Sequence, residues 1–143
     1  MIDTPIGASL ARYQAGDVQT YAFDPARAEK LLDEAGFARK NGVRFALHID
    51  PLPSIEGFRN SAQFLRQAFA KVGITLQSRT QDFASYVKRV YTDRDFDLAY
   101  AWLITGPDPA GVQSFYWSRN FQRGIPFSNA SGIQDAELDR LFE

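Results

Sequence analysis

The sequence contains no cysteine. Disulfides, thiolate catalysis and cysteine-based zinc sites are therefore excluded together. Histidine is nearly absent as well, with His48 the single one. Without a second His or a Cys it makes no ordinary transition-metal site, and a lone strand histidine reads as structural. No charge of one sign prevails: 16 Lys and Arg face 17 Asp and Glu, for a net charge of −1. That balance leaves no electrostatic footprint for nucleic acid or acidic lipid. No apolar run reaches the ~20 residues of a membrane span. The start, Met1 to Ile6, lacks the basic-then-apolar pattern of a signal peptide; in a fragment that absence carries no information. There is no internal repeat, no low-complexity tract and no credible Ser/His/Asp set. Asp93, Asp95 and Asp97 begin like a calcium loop, but Leu98 and Ile104 stand where Gly and Glu are needed. Gly106 and Gly111 have phosphate-loop spacing, but Val112-Gln113 replaces the Lys-Ser/Thr pair.

What is present suits one α/β domain. At 143 residues the chain can bury one core, and its aromatic fraction of 14% is high. That excess has to serve core, interface or ligand stacking. Residues 1–23 show no sustained period and read as an extended lead-in; residues 24–143 read as a single α/β unit. Asp24-Pro25 opens a first helix, with Asp as cap and Pro at the first helical position. Ala28, Leu31, Leu32 and Ala35 follow helical spacing. Gly36 ends the helix, and Phe37 can fold back on Leu32 in a Schellman arrangement.

Asn41-Gly42 signals a turn, and Val43 to Ile49 a strand. Asp50-Pro51-Leu52-Pro53 reads as a loop, since its prolines disfavour helix and ladder alike. Ser54 is a candidate cap for a helix over about 55–72, with Phe58, Ala62, Leu65, Phe69 and Val72 inward and Gly73 as stop. Ile74 to Thr80 is a strand with Ile74, Leu76 and Ser78 on one face. Asp82 caps a third helix with Phe83, Tyr86, Val87 and Val90 inward and Lys88 and Arg89 outward. A helix is expected from about Asp108 to Trp117, irregular chain over 118–132, and a last helix from Asp135, with Ile133, Leu138 and Leu141 able to pack. Strands separated by helices imply crossovers and a mixed, at least partly parallel sheet flanked by helices.

The stretch from Phe96 to Pro109 organises the rest. Phe96, Leu98, Tyr100 and Trp102 alternate with Asp97, Ala99, Ala101 and Leu103. So apolar and short a run predicts a sheet interior covered on both faces. It stops at Thr105-Gly-Pro-Asp-Pro109, where Gly allows unusual backbone angles and two prolines cannot continue a ladder. A buried strand ending in a Gly/Pro loop is where an open α/β sheet places its ligand contacts.

Five pieces, in order, resemble one family. Tyr21 to Phe37 (YAFDPARAEKLLDEAGF) resembles the stretch Y-x-y-D-P-x-x-A-x-x-L-L-x-E-A-G-y of bacterial extracellular solute-binding proteins of the oligopeptide, dipeptide and nickel type. Phe64 to Leu76 is similar to that family's helix and following strand, Phe83 to Tyr86 to its w-x-x-y, and Phe96 to Pro109 to its y-D-l-x-x-x-g-W-x-x-D-x-x-D-P. Asn129 with Asp135 to Leu141 resembles its y-x-n-x-e-l-D-x-L. The resemblance implies one part of the second lobe of a two-lobed periplasmic binding protein (type II-like), without the first lobe, the C-terminal remainder or the export signal. It implies capture of a peptide or peptide-like solute in the periplasm or outside the cell. Delivery would be to the permease subunits of an ABC importer, with the membrane touched only through that transporter. No cofactor and no enzymatic chemistry are implied. A sensory or chaperone-like domain using the same lobe is the alternative.

The resemblance also names candidate ligand contacts. Peptide-binding members carry an Asp three residues after the Trp, paired with the ligand's α-ammonium. Here that position is Thr105, and a hydroxyl cannot neutralise a cation. The implied ligand then lacks the usual free N-terminus: a blocked peptide, a metal chelate, a sugar or an opine-like compound. Gly106 belongs to the same loop. Asp108 could substitute in a rearranged loop, or could simply start a helix. Arg59 stands where dipeptide-type members hold the ligand carboxylate, or else is a surface arginine. Tyr100 and Trp102 are candidates for the cleft wall, or for core. Phe115, Tyr116 and Trp117 run consecutively and cannot share one helix face.

Overall fold

The computed structural model describes residues 6–53, 55–102 and 107–143. The chain divides into two compact units, one of residues 22–90 and 95–101, the other of residues 1–21, 91–94 and 102–143.

The first unit is a three-stranded parallel sheet with its helices. Its elements are α1 (Pro25–Glu34), β1 (Phe45–Pro51), α2 (Glu56–Lys71), β2 (Ile74–Ser78), α3 (Phe83–Val87) and β3 (Leu98–Tyr100). The strand order is β2-β1-β3, with both pairings parallel. The chain leaves β1 in one direction to form β2, and β3 returns on the other side of β1. Ile49, Ala62 and Leu76 centre the core, with Leu47, Leu65, Phe69, Leu98 and Tyr100 packed against them.

Local signals account for the element ends. Asp24 accepts the Arg27 N–H at 2.9 Å. At the other end of α1, Phe37 N–H donates to Leu32 O and Gly36 N–H to Asp33 O, with Gly36 at φ +85°; this is the Schellman arrangement. Asn41 and Gly42 both have positive φ, and Lys40 pairs with Val43 across them, as a tight hairpin turn requires. Gly73, at φ +81°, ends α2. A Cβ there would come within 3.2 Å of the Arg44 side chain.

Four expectations are corrected. Asp50 and Pro51 belong to β1, paired with Ala99 and Tyr100. The β2 register stops at Ile49 with Ser78, so no neighbour on that side asks Pro51 for an N–H; on the other side Leu52 donates to Tyr100 O. The Phe96 stretch is an edge, not an interior: β3 has three residues and only β1 beside it among the described residues. Phe83 is 45% exposed at the first position of α3, a single short turn followed by a π-helical segment, Lys88–Asp93, whose changed period shifts the face presented from Lys88 on. Arg89 turns inward and reaches Asp50. Ser54, expected to cap α2, lies outside the described residues; Ile55 precedes the helix without a side-chain cap.

Asp50 is fully buried. Its Oδ2 accepts Arg79 Nη2 at 2.6 Å and Nε at 3.2 Å. Its Oδ1 accepts Gln81 Nε2 at 2.8 Å and Arg89 Nη1 at 3.4 Å. Asp95 accepts a further Arg79 N–H at 3.2 Å. Burial alone would lower the Arg79 pKa, but the hydrogen bonds and charge of Asp50, with Asp95, outweigh it and raise it. Two carboxylates and two guanidiniums thus close a neutral cluster at the end of the middle strand.

The second unit holds a 3₁₀ helix (Ala8–Tyr13), another at Pro109–Val112, α4 (Gln113–Tyr116), a 3₁₀ turn at Ser118–Asn120 and α5 (Ala136–Arg140). Its buried residues include Leu10, Tyr91, Trp117 and Asn129. Asn129 donates to Trp117 O and Ile133 O and accepts from Ser131 Oγ and Gly132 N–H. One fully buried amide therefore ties the irregular chain together. Trp117 packs against the Phe142 ring at 5.8 Å. Leu141, expected to pack, is 76% exposed, since α5 is little more than a turn.

Asp50→Ala would leave two arginines without their buried partner. Urea unfolding should show a loss of about 3–5 kcal/mol. Asp82 caps α3 through the Ser85 N–H and hydroxyl, and those bonds hold its pKa below the ordinary value. A depressed carboxylate contributes stability above its unfolded pKa and loses it as pH falls through the folded one. Asp82→Asn keeps a capping acceptor without the titration. Its unfolding midpoint should match wild type at neutral pH and fall less between about pH 4 and pH 2.

Candidate functional site

The carboxyl ends of the strands converge on one cleft. Pro51 ends β1, Pro53 follows it, and Thr80 and Gln81 follow β2; with Arg59 they line a space of about 190 Å³. Parallel open sheets place ligands outside their carboxyl ends, where the strand order reverses, and the order reverses at β1. Arg59 lies near the start of α2 and is exposed. It has no ion-pair or hydrogen-bond partner among the described residues. The neighbouring arginines Arg79 and Arg89 are both engaged with acids. Among the described residues, Arg59 is thus the cation lining this cleft that has no acidic partner.

Tyr100 stands nearby as a half-buried residue. Its ring stacks on Phe58 at 5.4 Å and 24°, next in sequence to Arg59. Its carbonyl accepts Leu52 N–H at 3.1 Å and the Tyr86 hydroxyl at 2.9 Å. Tyr86 is fully buried, so its hydroxyl fixes the end of β3 from beneath.

The other candidates belong to the second unit or lie outside the described residues. Trp102 is 44% exposed, edge-on to Phe127 at 6.2 Å. An indole this open remains available for stacking. Asp108 accepts the Ala110 N–H at 2.8 Å and caps the 3₁₀ helix that follows. Thr105 and Gly106 lie outside the described residues. His48 and Asp97 stand together at the sheet surface: the His48 backbone N–H donates to Asp97 Oδ2 at 2.7 Å. Among the described residues no group of three or more His, Cys, Asp or Glu could hold a metal.

A larger concavity, about 530 Å³, runs between α1 and α2 and is lined by Phe23, Leu31, Leu65 and Phe69 among others. Its single acid, Asp24, is spent on capping α1. A site needs a few placed polar groups to orient a solute, and this groove supplies none.

Reading the sequence alone missed Asp50, Arg79, Gln81 and Arg89. The residues sit in three separate stretches, Asp50 in β1, Arg79 and Gln81 after β2 and Arg89 in the segment before β3, and only the tertiary fold brings them together. One signal was legible: an acid closing an apolar strand run, Phe45 to Asp50, is costly unless paired.

Comparison with known proteins follows the fold. The family model for bacterial extracellular solute-binding proteins, family 5 (middle), matches residues 2–124. An ABC transporter peptide-binding protein of Brucella ovis is 34% identical over 103 residues, covering 66% of this chain and 19% of its own length. The dipeptide-binding protein of Escherichia coli is 30% identical over 95 residues, covering 65% of this chain and 17% of its own length. The solved structure of a periplasmic oligopeptide-binding protein from Thermotoga maritima aligns with TM-score 0.71 at 26% identity, over 83% of this chain and 24% of that one. The chain spans about a fifth of the length of the curated relatives it matches. A family match over most of the chain, with the same parallel α/β fold, makes it a member of the bacterial extracellular solute-binding proteins, family 5.

Proposed function

We propose that the protein is the substrate-binding component of an ABC importer. It captures a peptide or peptide-like solute between two lobes, in the periplasm or outside the cell, and hands it to the permease subunits. The observation that carries this reading is Arg59, a guanidinium without a partner among the described residues, at the carboxyl ends of parallel strands. Arg59 receives the solute's carboxylate. A guanidinium fork beside a helix N-terminus attracts an anion through both charge and dipole. Tyr100 and Trp102 contribute aromatic wall, which tolerates varied apolar groups. Thr105, Gly106 and Asp108 are the remaining candidate contacts, and Asp108 also caps the 3₁₀ helix that follows it. The protein performs no chemistry on the solute. Closure of the lobes about a hinge couples binding to transport.

The family relatives, named as peptide- and dipeptide-binding proteins, support this reading. Thr105 narrows it. Where an acid would pair with an α-ammonium, a hydroxyl gives a neutral hydrogen bond, about half as strong as a charge-assisted one.

Isothermal calorimetry on the full-length protein tests both points. Arg59→Met should weaken a peptide bearing a free carboxylate by roughly 10- to 100-fold, the worth of a hydrogen-bonded charge. Unaltered affinity would remove Arg59 from the site. N-acetylated dipeptides should bind at least as well as unmodified ones, and a clear preference for the unmodified form would refute the role given to Thr105.

A further inference from the structure

Phe127 holds a backbone conformation that suits glycine. Its φ is +60°, in the left-handed region, an outlier for so bulky a side chain. Pro126 precedes it. Proline followed by a residue at positive φ is the pattern of a type II turn, whose third position is ordinarily Gly or Asn. Hydrogen bonds on both sides fix this turn. Gly124 N–H donates to Tyr91 O at 2.7 Å and Arg123 Nε to Thr92 O at 2.8 Å. Ser128 Oγ donates to Ile125 O at 2.7 Å, and Asn129 N–H to Asn120 O at 3.1 Å. Strain of this kind persists only where the surroundings over-determine it, and it gathers at functional sites.

The turn itself does not need a ring. Ile125 and Pro126 at its tip are exposed, and Gly would make the same bend without steric cost. The Phe127 side chain adds two ring contacts. Its ring lies 6.1 Å from Tyr91 at 56°, and 6.2 Å from Trp102 at 72°. Tyr91 is 2% exposed and Trp102 is 44% exposed. A half-buried ring therefore links an anchored aromatic to an open one. Edge-to-face pairs have a preferred geometry, so Phe127 limits the orientations open to the indole. A side chain ordered before binding loses less freedom when a solute arrives.

We propose that Phe127 is a positioning residue for Trp102: the strained turn braces the Phe127 ring against Tyr91 and presents the indole to the solute in one orientation. This deepens, and rests on, the reading of Trp102 as aromatic wall. Phe127 acts through the indole and makes no contact of its own with the solute. The group that gains from a fixed indole is an apolar or aromatic side chain, which stacks on it.

The test uses the full-length protein and two readouts. The first needs no solute: fluorine NMR of protein labelled with 5-fluorotryptophan, with the Trp102 signal assigned by its loss in Trp102→Ala. Phe127→Leu keeps an apolar side chain but removes the ring, and should move that signal toward the position of the free amino acid. Phe127→Tyr keeps the ring and should restore it. The second readout is calorimetry with acetyl-alanyl-phenylalanine. Phe127→Leu should weaken binding roughly 3- to 10-fold, the cost of ordering one side chain, and Phe127→Tyr should recover it to within ~2-fold. In a Trp102→Ala background, Phe127→Leu should cost nothing further, because the two residues act as one unit. An equal loss in both backgrounds overturns the positioning role, since a merely structural ring would weaken binding with or without the indole. So does a Trp102 signal that Phe127→Leu leaves in place. Unchanged affinity in Trp102→Ala alone, or a wild type that does not bind the probe, overturns the underlying reading of the wall. Melting curves for both Phe127 variants separate a misplaced indole from a lost fold.

Discussion

A carboxylate buried at the end of a middle strand constrains the first unit more than any other single feature. Removing Asp50 from water costs several kcal/mol unless charges and hydrogen bonds replace the lost solvation. Four groups replace it here, from Arg79 and Gln81 after β2 and from Arg89 in the helical segment that leads to β3. They come from two stretches of chain, so satisfying one acid ties both to the end of β1. Asp95 extends the cluster to the segment just before β3. The strand ends are thereby held where the sheet opens to solvent.

That neutral cluster also decides which charge is available. Arg79 and Arg89 are neutralised by Asp50 and Asp95. Arg59, a few residues along α2, is not. The cleft is lined by this arginine, by Pro51 and Pro53, and by Thr80 and Gln81, which follow β2.

Several elements were legible from local chemistry. The Asp24-Pro25 start and the Gly36 stop of α1 depend on capping geometry, which is a property of a few adjacent residues. The Asn41-Gly42 turn depends on two residues that accept positive φ. The alternation of Ile74, Leu76 and Ser78 reported the buried face of β2 directly. The errors fell where a neighbour decides. Pro51 joined the ladder because β2 had already ended beside it. Arg89 turned inward to Asp50 in a segment that changes its period at Lys88. The Phe96 stretch, apolar enough for an interior, lies at an edge.

Local sequence alone determined where most helices and strands begin and stop, the parallel α/β class and the family, because caps, turns and period-two or period-3.6 patterns act over a few residues. It also singled out Arg59. Only the tertiary structure decided that Asp50 lies buried among Arg79, Gln81 and Arg89, and hence that Arg59 has no acidic partner among the described residues. Residues tens of positions apart meet only when β1 and β2 align in register, and no local pattern encodes which charges will find each other once water is removed.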